Sequence, residues 1–438
     1  MSAMETNFTR TRLSNGLLVL LKEIHNAPII SAWMWFRVGS RDERAGITGI
    51  SHWTEHMQFK GTPRFPADVL DKAVAREGGY RNAMTFLDWT TYFETMPADK
   101  VDLALELEAD RMHNSLFAPD DVESERTVII SERQGSENEP LFLLGEEVQA
   151  AAFRVHPYHH EVIGDLADLQ TMQRDDLYHH YRSYYTPGNA ILAIAGDFET
   201  EAMLVRIRQL YEDLPSGDPP ARLQRAEPGQ PGERRLVVEG PGETTYVQLA
   251  YHAPAATHPD FYAFLVTDSL LTGPSNLNLF SSGISNKTSR LYQALVEKEL
   301  AVSIYGGLTA TIDPFLYNIV ATVHPSSSSD QVVSAIDGEI KRLQVEPPPA
   351  SEVARAVKQA RALFAYGSES ITNQAFWMGY AEIFADYDWF LTYLDRLAEV
   401  TPEDVQRIAQ TYLRPQNRVL GVYLPNDQAA LQPAEEAA

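Results

Sequence analysis

The sequence predicts an α+β fold in two homologous, duplicated domains, each a mostly antiparallel sheet packed with helices, and three observations carry that prediction. The chain has 438 residues, more than the about 100–200 of one ordinary domain. The stretch Asp213–Arg235, DLPSGDPPARLQRAEPGQPGERR, is rich in Pro, Gly and charge, lacks periodic apolar residues and divides the chain almost in half, which marks a linker. Each half also ends alike: a helical segment runs to Tyr, then a Pro-x-Asn turn, then an apolar strand, at Thr171–Gly196 and again at Thr401–Tyr423. A repeat of that length is too long for a solenoid and signals duplication. The expected division is 1–212, a linker 213–235, and 236–438.

The elements follow in order. Asn15-Gly16 is a turn before the apolar strand that runs to Leu21, and Ile29–Val38 is a second strand. Helical patterns cover about 46–60, 98–115 and 120–136. In the second half, Arg235–Glu239 and Tyr246–Tyr251 read as strands. Pro347-Pro348-Pro349 joins two helices, the second opening near Ser351, and the tail after Asn426 is expected to fray. Hairpin-style strands mixed with helices argue α+β and not a doubly wound parallel sheet.

Composition removes several functions. Hydrophobic residues at 44% and charged residues at 22% are ordinary for a globular protein. With no cysteine, thiol catalysis, Cys-type zinc sites, iron–sulfur clusters and disulfides are excluded. A net charge of −24 repels phosphate backbones and anionic lipid, so no nucleic-acid or membrane partner is expected. Met1–Arg12 has no apolar core of signal-peptide length, and no apolar run reaches the about 20 residues needed to cross a bilayer. The expected location is cytoplasmic.

The sharpest motif is His52-Trp-Thr-Glu55-His56, at a helical position. A helix turns about 100° per residue, so His52 and His56 lie one turn apart on one face and Glu55 shares it. Two such imidazoles can bind one Zn²⁺, and the carboxylate can reach its water. The rival reading is two surface histidines flanking a Glu. Further on, a helix opens at Asp120-Asp121, either of which is a natural N-cap. It carries Glu125 and Glu132 seven residues apart, two turns, and Val128, Ile129 and Ile130 between them suggest burial. Buried carboxylates need a cation or a metal. Glu132 can complete a His₂Glu set with Glu125 bonded to a ligand histidine; the rival is an exposed acidic stripe.

His52–His56 followed by Glu125 and Glu132 resembles the pitrilysin/insulysin family of inverzincin metallopeptidases, which includes the mitochondrial processing peptidase. In that family the third ligand comes some 75 residues after the motif, as Glu132 does after His56. Three more stretches are similar: Gly78-Gly-Tyr-Arg-Asn82-Ala83-Met-Thr85, His156-Pro-Tyr…Ile163-Gly164, and Pro187-Gly-Asn-Ala…Gly196-Asp197. The resemblance covers the first half closely and the second half loosely. It implies zinc held by His52, His56 and Glu132, with Glu55 as general base and Glu125 supporting a ligand histidine. Asn82 and Ala83 would lie on an edge strand that pairs with a peptide substrate. Two chains would close around a peptide chamber. The same resemblance makes His156, His159 and His160 with Glu161 structural and not a second metal site. His179-His180, on an aromatic helix, reads as packing. Ser281–Asn286 is a polar loop with no phosphate-loop pattern.

One departure stands out. Active members carry an Arg and a Tyr seven residues apart in the second half. Here Val296 takes the Arg place and Ser303, or Val302 with a one-residue gap, the Tyr place. Tyr305 is a nearby substitute and Tyr292 a weaker one. The expected function is therefore a zinc endopeptidase acting as the metal-bearing subunit of a heterodimer, with a homologous subunit supplying the Arg/Tyr pair. The alternatives are a self-sufficient homodimer and a non-catalytic core or scaffold subunit.

Overall fold

A computed structural model describes residues 7–426 apart from 223, 276 and 279–283. The tail after Asn426 and Ser281–Gly283 of the polar loop lie outside the described residues. The chain forms two compact units, each built on one sheet.

In the first unit, strands β1 (Phe8–Arg12), β2 (Leu18–Glu23), β3 (Ile29–Phe36), β4 (Tyr80–Thr85), β5 (Thr90–Pro97) and β6 (Ala190–Gly196) lie in the order β1-β2-β6-β3-β5-β4. All neighbours are antiparallel except β2 and β6. The Asn15-Gly16 turn closes the β1–β2 hairpin, with Gly16 at φ +96°, a conformation that glycine adopts without a Cβ clash. Strand β6 is buried along its whole length and β3 nearly so, which explains their unbroken apolar runs.

The second unit repeats the pattern. Strands β7 (Arg234–Pro241), β8 (Tyr246–Ala253), β9 (Ala301–Leu308), β10 (Phe315–Val323) and β11 (Arg418–Asn426) lie in the order β7-β11-β8-β10-β9, and only β7 and β11 are parallel. Without β1, the first sheet has the same order and the same single parallel pair. The repeat extends to single hydrogen bonds. Asn189 Nδ2 donates to Tyr184 O and to Arg37 O just past β3. Asn417 Nδ2 donates to Tyr412 O and to His252 O in β8. The Pro-x-Asn turns recur because each asparagine ties a helix end to the sheet it returns to.

The units are not uninterrupted halves. The first comprises Met1–Arg133, His160–Arg225 and Ser368–Leu391; the second comprises Gln134–His159, Ala226–Gly367 and Thr392–Ala438. The expected 1–212 and 236–438 blocks therefore each lose one helix to the other unit. Helix Ile371–Phe384 packs on β3 and β6, and helix Pro140–Ala152 packs on β7, β8 and β11. Glycine permits both contacts. A Cβ on Gly379 would lie 2.1 Å from Trp35 Nε1, and one on Gly421 would lie 2.5 Å from Val148 Cγ2. The Pro347–Pro349 segment does join two helices, Ser329–Val345 and Ala350–Gly367. Among the described residues no helix is long and apolar enough to cross a membrane.

Candidate metal centre

The motif occupies helix Ile50–Met57, shorter than the expected 46–60. Gly49 is its N-cap at φ +86°. It abuts Gly164, itself at φ +84°; a Cβ on Gly49 would lie 2.4 Å from Ile163 O, and one on Gly164 2.3 Å from Thr48 O. The helix N-terminus has no hydroxyl cap. The buried carboxylate of Glu43 takes that part, accepting the Gly49 and Ser51 amides at 2.8 and 2.9 Å. His160 Nε2 meets the same carboxylate at 2.9 Å. Burial disfavours the charged ring, yet Glu43, with Asp165 and Glu161, more than offsets this and raises the His160 pKa. His156 faces Asp313 instead, at 3.1 Å. These histidines thus support structure, and His180 is buried against Tyr184.

The second contributing helix is Pro119–Ser136. It starts one residue earlier than expected, so Asp120 and Asp121 lie inside its first turn and do not cap it. Its buried face is Val122, Glu125, Ile129 and Arg133. Val128 is exposed, which corrects the expectation of a buried apolar run: the buried face mixes Val122 and Ile129 with the charged Glu125 and Arg133.

The two helices bring together the residues singled out from the sequence. Glu132 Oε1 lies 3.9 Å from His52 Nε2, and Glu132 Oε2 lies 3.7 Å from His56 Nε2. One donor atom from each of the three residues falls within 4.8 Å of the others, the one such His/Cys/Asp/Glu group among the described residues. A tetrahedral zinc with ligands at about 2.0–2.1 Å sets its donors roughly 3.4 Å apart, so the set needs little adjustment. Burial, helped by the neighbouring His56, lowers His52 to about 3, which keeps its ring neutral, the form in which an imidazole can bind a metal. Two imidazoles and one carboxylate form an N/O donor set that suits zinc.

Glu125 stands behind the set. Its buried carboxylate meets His56 Nδ1 at 3.0 Å and pairs with Lys60. That contact fixes the ring so that Nε2 faces Glu132. Glu125→Gln is expected to weaken zinc affinity about 10- to 100-fold, read by competition with a zinc-binding dye; unchanged affinity would remove Glu125 from the site.

Glu55 is buried on the same helix, and Thr85 Oγ1 donates to its Oε2 at 2.6 Å. Burial raises the carboxyl to about 7, and the Thr85 hydrogen bond opposes the rise. A carboxyl balanced near neutrality suits general acid–base work. Asn82 and Ala83 lie on β4, an edge of the first sheet, with Asn82 exposed. The Ala83 amide donates to Asn82 Oδ1. Glu43 and Thr85 support the site through contacts that no sequence motif announces.

In the second unit, Val302, Ser303 and Tyr305 are exposed on β9, also a sheet edge. Ser303 Oγ donates to Thr322 Oγ1 at 2.8 Å. Tyr292 and Val296 bound a short π-helix.

A family model described as Insulinase (Peptidase family M16) matches residues 18–166, and one described as Peptidase M16 inactive domain matches 171–360. A protein named Zinc protease PqqE from Helicobacter pylori is 28% identical over 414 residues, covering 92% of this chain and 89% of that protein. A probable mitochondrial-processing peptidase subunit beta from Arabidopsis thaliana is 28% identical, covering 94% of this chain and 77% of that protein. The crystal structure of a protease from Helicobacter pylori superposes with a TM-score of 0.89 at 28% identity, over 95% of this chain and 99% of that one.

Proposed function

Because the chain belongs to the pitrilysin-type, or insulinase, peptidase family, we propose that it is a zinc-dependent endopeptidase acting on peptides or unfolded segments inside a closed chamber. The observation that carries the reading is the convergence of His52, His56 and Glu132, with Glu55 one residue before His56. His52, His56 and Glu132 would hold the metal. Bound there, zinc supplies Lewis acidity, acidifying a water and polarising a carbonyl.

The remaining steps belong to side chains and backbone of this chain. The outer edge of β4 pairs with the substrate backbone at Asn82 and Ala83, reading peptide main chain more than side chains. Glu55 takes the proton of the attacking water and passes it to the leaving amine. Glu125 holds His56 in one orientation.

The tetrahedral oxyanion needs donors besides the metal. Val296 and Ser303 stand where the resemblance calls for Arg and Tyr, so a homologous subunit supplies that pair in a heterodimer. Loss of one such donor costs about 10²–10³ in rate. A second reading, a self-sufficient homodimer, draws on Tyr305, which is 47% exposed on its edge strand. A scaffold role leaves a buried carboxyl beside the His/His/Glu group without a use.

The test is hydrolysis of a quenched fluorescent peptide by the purified chain, with zinc counted on the same sample. One zinc per chain with turnover only after a motif-less, Arg/Tyr-bearing homologue is added supports the heterodimer. Turnover by the chain alone sinks it in favour of the homodimer. No turnover in either mixture overturns the peptidase reading.

A further inference from the structure

We propose that Thr85 is the positioning residue that aims the Glu55 carboxylate, and so ties the general base to β4. The inference rests on the peptidase reading above for its consequences, but its geometry stands by itself. Glu55 and Thr85 are thirty positions apart in sequence, on a helix and on a strand, yet their side chains meet at 2.6 Å with both residues buried. A buried carboxylate on a side chain with three rotatable bonds has no fixed direction unless something holds one oxygen. The hydroxyl of Thr85 does so at Oε2, which leaves Oε1 for the proton transfer.

The strand end that carries the hydroxyl is held from several sides. Thr85 is the last residue of β4 and pairs with Thr90 across the β4–β5 hairpin. The Phe86 amide donates to Trp89 O at 2.8 Å and closes the turn. The Ser40 and Arg41 amides donate to Phe86 O and Leu87 O, pinning the turn from outside. That approach is close enough that a Cβ on Gly39 would lie 2.3 Å from Phe86 O. Thr90 Oγ1 lies 3.4 Å behind Thr85 Oγ1 and donates to Val38 O at 3.0 Å. A strand end fixed this firmly is a good reference point for the base. It is also the end of the strand that carries Asn82 and Ala83, so substrate pairing and the aim of Glu55 are set by one rigid element.

Thr85→Val removes the hydroxyl at nearly constant shape, and Thr85→Ser keeps it. With the active protein or complex, Thr85→Val is expected to lower kcat about tenfold with KM within about twofold. Zinc content is expected to match the parent and Tm to fall by a few degrees as the buried Glu55 oxygen loses its donor, and Thr85→Ser to restore kcat to within about threefold. Crystal structures supply a readout independent of turnover. The Glu55 carboxylate is expected in a single orientation in the parent and in Thr85→Ser, and in several in Thr85→Val. A Thr85→Val protein with parental kcat, with zinc loss, or with Glu55 in its parental orientation would overturn the assignment, as would a Thr85→Ser protein no better than Thr85→Val. If the parent itself hydrolyses no peptide, the peptidase reading falls, and the Glu55 orientation alone then decides the role of Thr85.

Discussion

Glu55→Gln is expected to lower peptide turnover about 10²- to 10⁴-fold while leaving one zinc per chain. The substitution keeps size and shape, and the new amide oxygen still accepts the hydrogen bond that Thr85 donates to Oε2. What it removes is the capacity to take a proton. The zinc is expected to stay because the group able to hold it is His52, His56 and Glu132, without Glu55. Stability is not expected to suffer either. Burial already raises the Glu55 carboxyl to about 7, so a neutral amide in its place meets no new desolvation cost. The measurements are kcat on a quenched peptide, bound zinc by mass spectrometry and Tm by scanning calorimetry. Retention of more than a tenth of the parental kcat would remove Glu55 as the base. Loss of zinc would make it part of the metal set instead.

The grouping of His52, His56 and Glu132 is legible in the sequence because much of its geometry is local. His52, Glu55 and His56 lie within one helical turn, and Glu125 and Glu132 within two turns of another helix, so helical period alone places each group on one face. The duplication was readable because its signature, Tyr…Pro-x-Asn followed by an apolar strand, encodes the asparagine tie seen at Asn189 and Asn417. The contacts that sequence did not reveal are those formed by tertiary closure. Glu43 caps a helix beginning at Ile50 through amides that no capping motif announces. Thr85 reaches Glu55 only once the β4–β5 hairpin is folded beside helix Ile50–Met57. Helix Ile371–Phe384 is buried from Ala375 to Ile383 without interruption, so its apolar pattern says that it is covered but not by which sheet. Val128 shows the reverse problem: in an apolar run of three, Ile129 alone is buried, and period 3.6 decides which residue turns inward.

Glu132→Gln and His56→Ala are each expected to lose the zinc and abolish turnover, with Glu132→Gln brought down to the thermal stability of the chelated parent and His56→Ala below it. Both residues reach the metal position directly, and their donor atoms lie 3.7 Å apart. Removing either leaves two ligands where three are needed for a catalytic zinc with an open position. The thermal argument separates this from ordinary damage. A ligand that binds only the folded state stabilises it by about 4 kcal/mol when free at roughly a thousand times its Kd. For a unit of this size each kcal/mol moves Tm by about 2–4 °C. A zinc chelator is therefore expected to lower the parent's Tm on the order of 10 °C, and to leave the Glu132→Gln and His56→Ala proteins where they already are. Glu132 is the cleaner of the two, because Gln keeps the size of a half-exposed side chain, whereas His56→Ala also strands the buried Glu125. A chelator shift as large in Glu132→Gln as in the parent would place the metal elsewhere on the chain. A Glu132→Gln protein that keeps one zinc and a tenth of parental turnover would reduce Glu132 to the exposed acidic stripe that its sequence also allows.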